Sequence, residues 1–419
     1  MRWLRNAAYL TAAAATSPIW SWRMHRTGKL RTDWPARFGR GEALPRTGRA
    51  RFLIYAVSVG EVNAIRQLVD RIAADASRPE VVIAAATDTG FARAQEVFSA
   101  RHAVVRYPFD ASWMVERFLD RVQPDVVALC ELEVWPNFVD ACGRRNIPVT
   151  VVNGRLSERS YGRYVMLKAL FAPTFRKLDA VFAQNEEYAG RFLGLGAEEG
   201  RVYVTGTMKW DTAQIADAVA GADDFAEAMG IDRRVPLVVA GSTAPEEHRL
   251  LREAVPKGVQ LLCAPRKPEW FDAAAADLPG CARRSQRTPG SASGLFLLDT
   301  IGELRKAYSL ADVVVIGRTF GELHGSDPME PAALGKAVMC GPRMGDFRES
   351  ADALLAANAM VRVDRMQLAA RLRALLSDDN ERARMGRAAQ EVVRIHQGAT
   401  ERTAEALLAI LLQRQGSHA

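Results

Sequence analysis

Cysteine is scarce in this chain: five residues (Cys130, Cys142, Cys263, Cys281 and Cys340) in 419, odd in number, widely spaced and without a Cys-x-x-Cys pair. That excludes a disulfide framework and a zinc site of ordinary spacing, and it suits a reducing compartment. A Gly-x-Gly-x-x-Gly stretch is missing after the first apolar run, which removes the usual dinucleotide fingerprint. No Asp-x-Asp metal motif stands in the segments that close the apolar runs, and no short-period repeat is visible. Long apolar runs are missing too. The nearest approach, Ala-rich from Asn6 to about Trp22, falls short of the roughly 20 residues that a perpendicular membrane crossing needs. Charge is only mildly one-sided: 56 Lys+Arg against 49 Asp+Glu, a net +7. Such a balance suits an anionic substrate or an anionic membrane surface, and equally a solvated basic exterior; it calls for no nucleic-acid partner.

Three readings fit the opening MRWLRNAAYLTAAAATSPIWSWRMHR: a secretory signal, an amphipathic core helix or an uncleaved anchor. Trp20 and Trp22 beside Arg23 and Arg26 suit an interfacial end. Because the motifs further on point to cytoplasmic chemistry, residues 1–26 are expected to form a membrane-associated helix.

At this length two domains are the default. From Phe52 onward, short apolar runs alternate with segments of helix length: 52–57, 81–86, 103–109, 125–132, 148–154, 180–185 and 202–206. Continuous Val/Ile runs of this kind read as βαβ units around a parallel sheet covered on both faces. After the Ala- and Asp-rich segment 211–234 the alternation resumes at 237–242, 259–265, 295–299, 312–317 and 337–341. The loop 281–294 reads as polar and exposed, and the chain past Met366 as purely helical. Two doubly wound domains facing across a cleft would hold ligands at the carboxyl ends of their strands.

Those ends carry unusual polar residues. In AVSVGEVNA (56–64), Gly60 is expected to let the chain turn and Glu61 to enter the first turn of a helix. A carboxylate there favours the helix dipole; with Ser58 beside it, it could also take a proton from an attacking hydroxyl. In CELEVWPNF (130–138), strand alternation would put Glu131 and Glu133 on one face, unless this is a solvated strand end with Trp135 in the core. Arg155, Ser157, Arg159 and Ser160 form a third polar cluster, either an anion site or a capped helix start. In the second half, Gly241, Ser242 and Thr243 precede a helix and could hold a phosphate at its N-terminus, or simply cap it. Arg266 and Lys267 follow the next strand, and Gly302 with Glu303 stands at another helix start. Pro328 and Pro331 frame Met329 and Glu330, whose carboxylate offers two acceptors to a pair of ribose hydroxyls.

Taken in order, SVGE (58–61), ELEVWPN (131–137), NGRLSERSY (153–161), MKWD (208–211), GST (241–243), PRKPEWF (265–271), DTIGEL (299–304) and DPMEPAALGKAVMCGP (327–342) resemble the 3-deoxy-D-manno-octulosonic acid (Kdo) transferases of lipid A biosynthesis. The resemblance covers about Arg31 to Glu349. It implies a GT-B fold, with a membrane anchor over 1–26, an acceptor-binding Rossmann-like domain over 27–210, a CMP-sugar-binding one over 211–400, and a C-terminal helix and tail over 401–419. It implies an inverting, metal-independent glycosyltransferase without cofactor that moves Kdo from CMP-Kdo to a lipid A precursor, lipid IVA, at the cytoplasmic face of the inner membrane. Carried onto this chain, Glu61 is the general base and Glu131 the second functional glutamate. Ser242, Arg266, Gly302 and Glu330 hold the donor nucleotide, and Ser58, Arg155, Lys209 and Asp327 lie near the substrates. The chain departs from the family pattern at His324-Gly325-Ser326-Asp327, where Gly-Gly-His-Asn is usual, which sets a second carboxylate close to a nucleotide. Two other readings stay open: a GT-B enzyme using a UDP-sugar (transferase or epimerase), and a membrane-tethered nucleotide-binding module without catalysis.

Overall fold

The computed structural model describes Asn6, Thr11 and residues 33–286 and 290–416. The expected anchor helix over 1–26 therefore lies, apart from Asn6 and Thr11, outside the described residues. The chain forms two compact units, one of Met1–Thr212 with Gln397–Ala419, the other of Ala213–His396. Among the described residues no helix is long and apolar enough to cross a membrane.

In the first unit the strands are β1 (Arg51–Tyr55), β2 (Glu80–Ala85), β3 (Ala103–Arg106), β4 (Val126–Cys130), β5 (Val149–Gly154), β6 (Ala180–Ala183) and β7 (Val202–Val204). They pair in the order β3-β2-β1-β4-β5-β6-β7, every pairing parallel. Covering both faces explains the unbroken apolar runs: Phe52 and Ile54 of β1 enter one core, Leu53 and Tyr55 the other. Each such side chain, once fully buried, contributes about 1.5–3 kcal/mol.

The second unit repeats the plan with β8 (Leu237–Thr243), β9 (Gln260–Pro265), β10 (Ala282–Arg283), β11 (Leu295–Leu297), β12 (Val313–Ile316), β13 (Ala337–Cys340) and β14 (Met360–Arg362), in the order β10-β11-β9-β8-β12-β13-β14. β10 and β14 are too short to show an apolar pattern. Of the loop expected to be exposed over 281–294, residues 281–284 are at least partly buried, because Arg283 Nε donates to the buried Asp299 at 2.8 Å and Arg284 forks onto Glu303 at 2.9 Å through both Nε and Nη2.

The C-terminal helix, Ala399–Gly416, returns to the first unit. Its Leu407 and Leu411 join the core that holds Phe52, Leu68 and Ile72. The second unit thus ends at His396, short of the expected boundary at 400, and the expected C-terminal helix lends its buried face to the first unit's core.

Candidate active site

Strand order reverses between β1 and β4 in the first sheet and between β8 and β12 in the second. Neighbouring strands there send their following loops in opposite directions, opening a crevice at their carboxyl ends. Glu61 follows β1 and Glu131 follows β4, so the topology alone brings them to one crevice.

Ser58 is the N-cap of the helix Val59–Ala64, and its hydroxyl accepts the Glu61 N–H at 3.4 Å. The Glu61 carboxylate reaches back: Oε1 accepts the Ser58 hydroxyl at 2.9 Å and Oε2 the Val57 N–H at 2.9 Å. Capping and chemistry therefore coexist, since each oxygen keeps a further lone pair. Gly60 does not make the turn, for it lies inside the helix; its α-carbon faces open space, where a Cβ would meet only Ser58 Oγ at 3.8 Å. That leaves the approach beside Glu61 clear.

The second carboxylate arrives differently from the sequence expectation. β4 ends at Cys130, and Glu131 adopts a left-handed backbone (φ 57°) with its N–H on the Val152 carbonyl at 3.0 Å. Alternation along a strand thus does not relate Glu131 to Glu133. Glu133 accepts from Trp135 Nε1 at 2.9 Å and from the Tyr55 hydroxyl at 3.4 Å. Trp135 is 38% exposed and is no core residue.

Burial, and then the neighbouring Glu61, push the Glu131 carboxyl above the ordinary carboxylate range, while Arg155 and Lys209 oppose the rise. Glu133 is pushed the same way, first by burial. Ser58 through its hydrogen bond to Glu61, and Arg155 and Lys209 through their charge, thus lie in the neighbourhood of the glutamates. Asn153 was missed: it is buried and left-handed (φ 52°), and its Oδ1 accepts the Met208 N–H at 3.2 Å, tying the end of β5 to the Lys209 segment.

A carboxyl whose pKa is raised on folding binds more protons in the native than in the unfolded state. Stability then falls as pH rises from the ordinary carboxylate range through the raised value, and the loss persists at neutral pH. Glu131→Gln is accordingly expected to raise the melting temperature at pH 7.5, by about 2–4 °C for each kcal/mol recovered. The gain should vanish near pH 4; calorimetry at both pH values checks this, and no gain at pH 7.5 contradicts it.

In the second unit, Ser242 sits in the left-handed region (φ 56°) at a register shift between Gly241 and Thr243 of β8. Glycine is required opposite: a Cβ on Gly317 would lie 2.5 Å from the Thr243 α-carbon. The expected anion site at the following helix N-terminus is already filled. That helix begins with Pro245, which has no N–H, and the wholly buried Glu247 accepts the Ala244 N–H at 2.9 Å. Its carboxylate also takes the N–H groups of Arg318 (2.7 Å), Thr319 (2.8 Å) and Phe320 (3.0 Å). In the sequence Glu247 is only one of two acidic residues in the first turn of a helix, and nothing local announces partners more than 70 residues away.

The Arg266 N–H donates to the Thr243 carbonyl at 3.0 Å, seating Arg266 beside Ser242. Its guanidinium is exposed and forms no hydrogen bond or ion pair among the described residues. Half-buried Glu330 stands in the short helix Met329–Ala333. Burial pushes its carboxyl up and Asp327 adds to the rise, against Arg305. Asp327 has a local task, its Oδ1 accepting the Met329 N–H at 2.8 Å. Gly302 makes an exposed left-handed turn (φ 94°) into the helix Leu304–Leu310, which carries Arg305 and Tyr308. Among the described residues no group of three or more His, Cys, Asp and Glu is arranged to hold a metal ion.

Two doubly wound parallel-sheet units with polar side chains gathered at their strand ends have the GT-B architecture. Solved structures share this architecture: a UDP-N-acetylglucosamine 2-epimerase (14% identity, TM-score 0.57, 90% of this chain and 97% of that one) and a glycosyltransferase from Rickettsia africae (11%, 0.56, 87% and 99%). At such identities the likeness is one of fold. The family model for 3-deoxy-D-manno-octulosonic-acid transferase matches residues 32–212. The 3-deoxy-D-manno-octulosonic acid transferase of Bordetella pertussis is 32% identical, over 96% of this chain and 98% of its own length; that of Haemophilus influenzae is 29% identical, over 84% and 86%. The chain belongs to the 3-deoxy-D-manno-octulosonic acid transferase family.

Proposed function

We propose that the chain transfers Kdo from CMP-Kdo to a hydroxyl of a lipid A precursor, lipid IVA, in lipopolysaccharide core biosynthesis. The observation that carries this is the fixed pose of Glu61, with the second glutamate in its neighbourhood, in a member of this family. Glu61 takes the proton of the acceptor hydroxyl as that oxygen bonds to the anomeric carbon of Kdo; the bond from that carbon to the CMP phosphate breaks, and CMP leaves with the electron pair. One displacement inverts the configuration. Glu131, itself pushed up by burial and by the neighbouring Glu61, adds negative potential on the same side of the site. Arg155 and Lys209 suit the Kdo carboxylate or an acceptor phosphate.

On the donor side, Arg266 offers a free guanidinium to the leaving phosphate and Glu330 two acceptors to the ribose, with Ser242 and the Gly302 turn alongside. Asp327, engaged with the Met329 N–H, serves the helix start more than the ligand. The reading uses neither metal nor cofactor. It includes attachment to the cytoplasmic face of the inner membrane, for which the exposed Val165, Met166, Leu167 and Leu170 beside Arg159, Arg163 and Lys168 form a suitable apolar and basic surface.

Thermal unfolding of the purified chain tests the donor assignment: CMP should raise the melting temperature more than UDP does at equal concentration. A preference for UDP would move the chain to the UDP-sugar reading. Flotation with anionic vesicles, weakened by Met166→Glu, checks the membrane surface; flotation unaffected by that change removes it.

A further inference from the structure

Lys209 is the one exposed side chain in an otherwise buried run, with Thr207, Met208 and Trp210 turned inward. The backbone on both sides of it is tied down by parts of the chain far away in sequence. Asn153 Oδ1 holds the Met208 N–H, Gln397 Nε2 donates to the Trp210 carbonyl at 3.1 Å, and Gln67 Nε2 donates to the Asp211 carbonyl at 2.8 Å. Arg402 donates to the Thr205 carbonyl at 2.6 Å through Nη2. The strongest tie is the Asp211 carboxylate: Oδ1 accepts the Gly398 N–H at 2.7 Å and Oδ2 the Thr400 N–H at 2.6 Å. Those are free donors at the N-terminus of the C-terminal helix, where a carboxylate is also favoured by the helix dipole.

We infer that Asp211, acting with the C-terminal helix, is a positioning residue for Lys209, and that the returning helix is retained because it fixes this cation against Glu131. The inference rests on the proposed role of Lys209 at the substrate. Packing alone does not call for these contacts: Leu407 and Leu411 already anchor the helix in the core, whereas Gln397, Gly398, Thr400 and Arg402 each tie to residues 205–211, while Glu401 pairs with Arg71.

A double-mutant cycle in the full-length enzyme, read as kcat/KM for Kdo transfer with thermal unfolding alongside, tests this. Asp211→Asn replaces one acceptor oxygen by a donor that faces a backbone N–H, so the 205–211 segment should loosen. A misplacement of about 1 Å at a reacting group costs up to about 100-fold, and at least a tenfold loss is expected. Lys209→Met should lower kcat/KM by a comparable factor. In the double variant, kcat/KM should stay within about twofold of Lys209→Met alone, because Asp211 has then nothing left to position. Independent, multiplying losses would overturn the inference and leave Lys209 at the site. A Lys209→Met enzyme as active as the parent would instead remove Lys209 from the site, and with it both the reading and the inference.

Discussion

Glu61→Gln lowers kcat for Kdo transfer by about 100- to 10,000-fold, the range that a positioned general base contributes, while the protein still folds. Both halves of this expected result follow from the capping geometry. Glutamine fills the same volume and keeps one carbonyl oxygen. If that oxygen accepts the Val57 N–H, the new amide N–H₂ faces Ser58 Oγ, and the hydroxyl needs only to rotate to become the acceptor. The helix start survives. What disappears is the basic lone pair that takes the acceptor proton, and no neighbouring group restores it: Glu131 and Glu133 lie in the same electrostatic neighbourhood but are held by other strands. Glu61→Ala is a poorer probe, because it also strips the Val57 N–H and the Ser58 hydroxyl of their acceptor. Unchanged turnover in Glu61→Gln would end the assignment.

The same conservative change at Glu247 gives the opposite outcome. Each oxygen of this buried carboxylate accepts two backbone N–H groups, Oε2 those of Ala244 and Arg318, Oε1 those of Thr319 and Phe320. Glutamine must turn one acceptor into a donor, leaving two buried N–H groups pointing at an N–H₂. Each buried group so orphaned costs about 1–3 kcal/mol, a large share of the roughly 5–15 kcal/mol that keeps a domain folded. The melting temperature is expected to fall by about 10 °C, at about 2–4 °C per kcal/mol for a unit of this size. The response to CMP should go with it, because the loop after β12 and the start of the helix Pro245–Ala254 lose their common tether. Thermal unfolding with and without CMP checks this; a Glu247→Gln variant that melts with the parent and still responds to CMP would show that the tether is dispensable.

The two glutamates mark how far the sequence could be read. β1 is recognisable because alternate residues serve two cores, so nothing polar interrupts Phe52 to Tyr55, and Glu61 stands out directly after it. Glu330 stands out for the same kind of reason, between two prolines. Glu247 does not, since its partners at Arg318–Phe320 belong to the loop after β12, which arrives much later in the chain. Glu131 was found but its geometry was not, because a left-handed residue ends the alternation on which the expectation relied. The C-terminal helix reads as helix from its composition, yet its return to the first unit depends on Asp211 and on a core groove beside Leu68 and Ile72 that no local pattern encodes.

Mass spectrometry of the product tests the central claim most directly. The purified full chain, given CMP-Kdo and a tetraacylated lipid A precursor, should return the acceptor heavier by one or more Kdo residues, with CMP released in equal number, and Glu61→Gln should return it unmodified. An unmodified acceptor from the parent enzyme, or the same product from Glu61→Gln, would contradict the account.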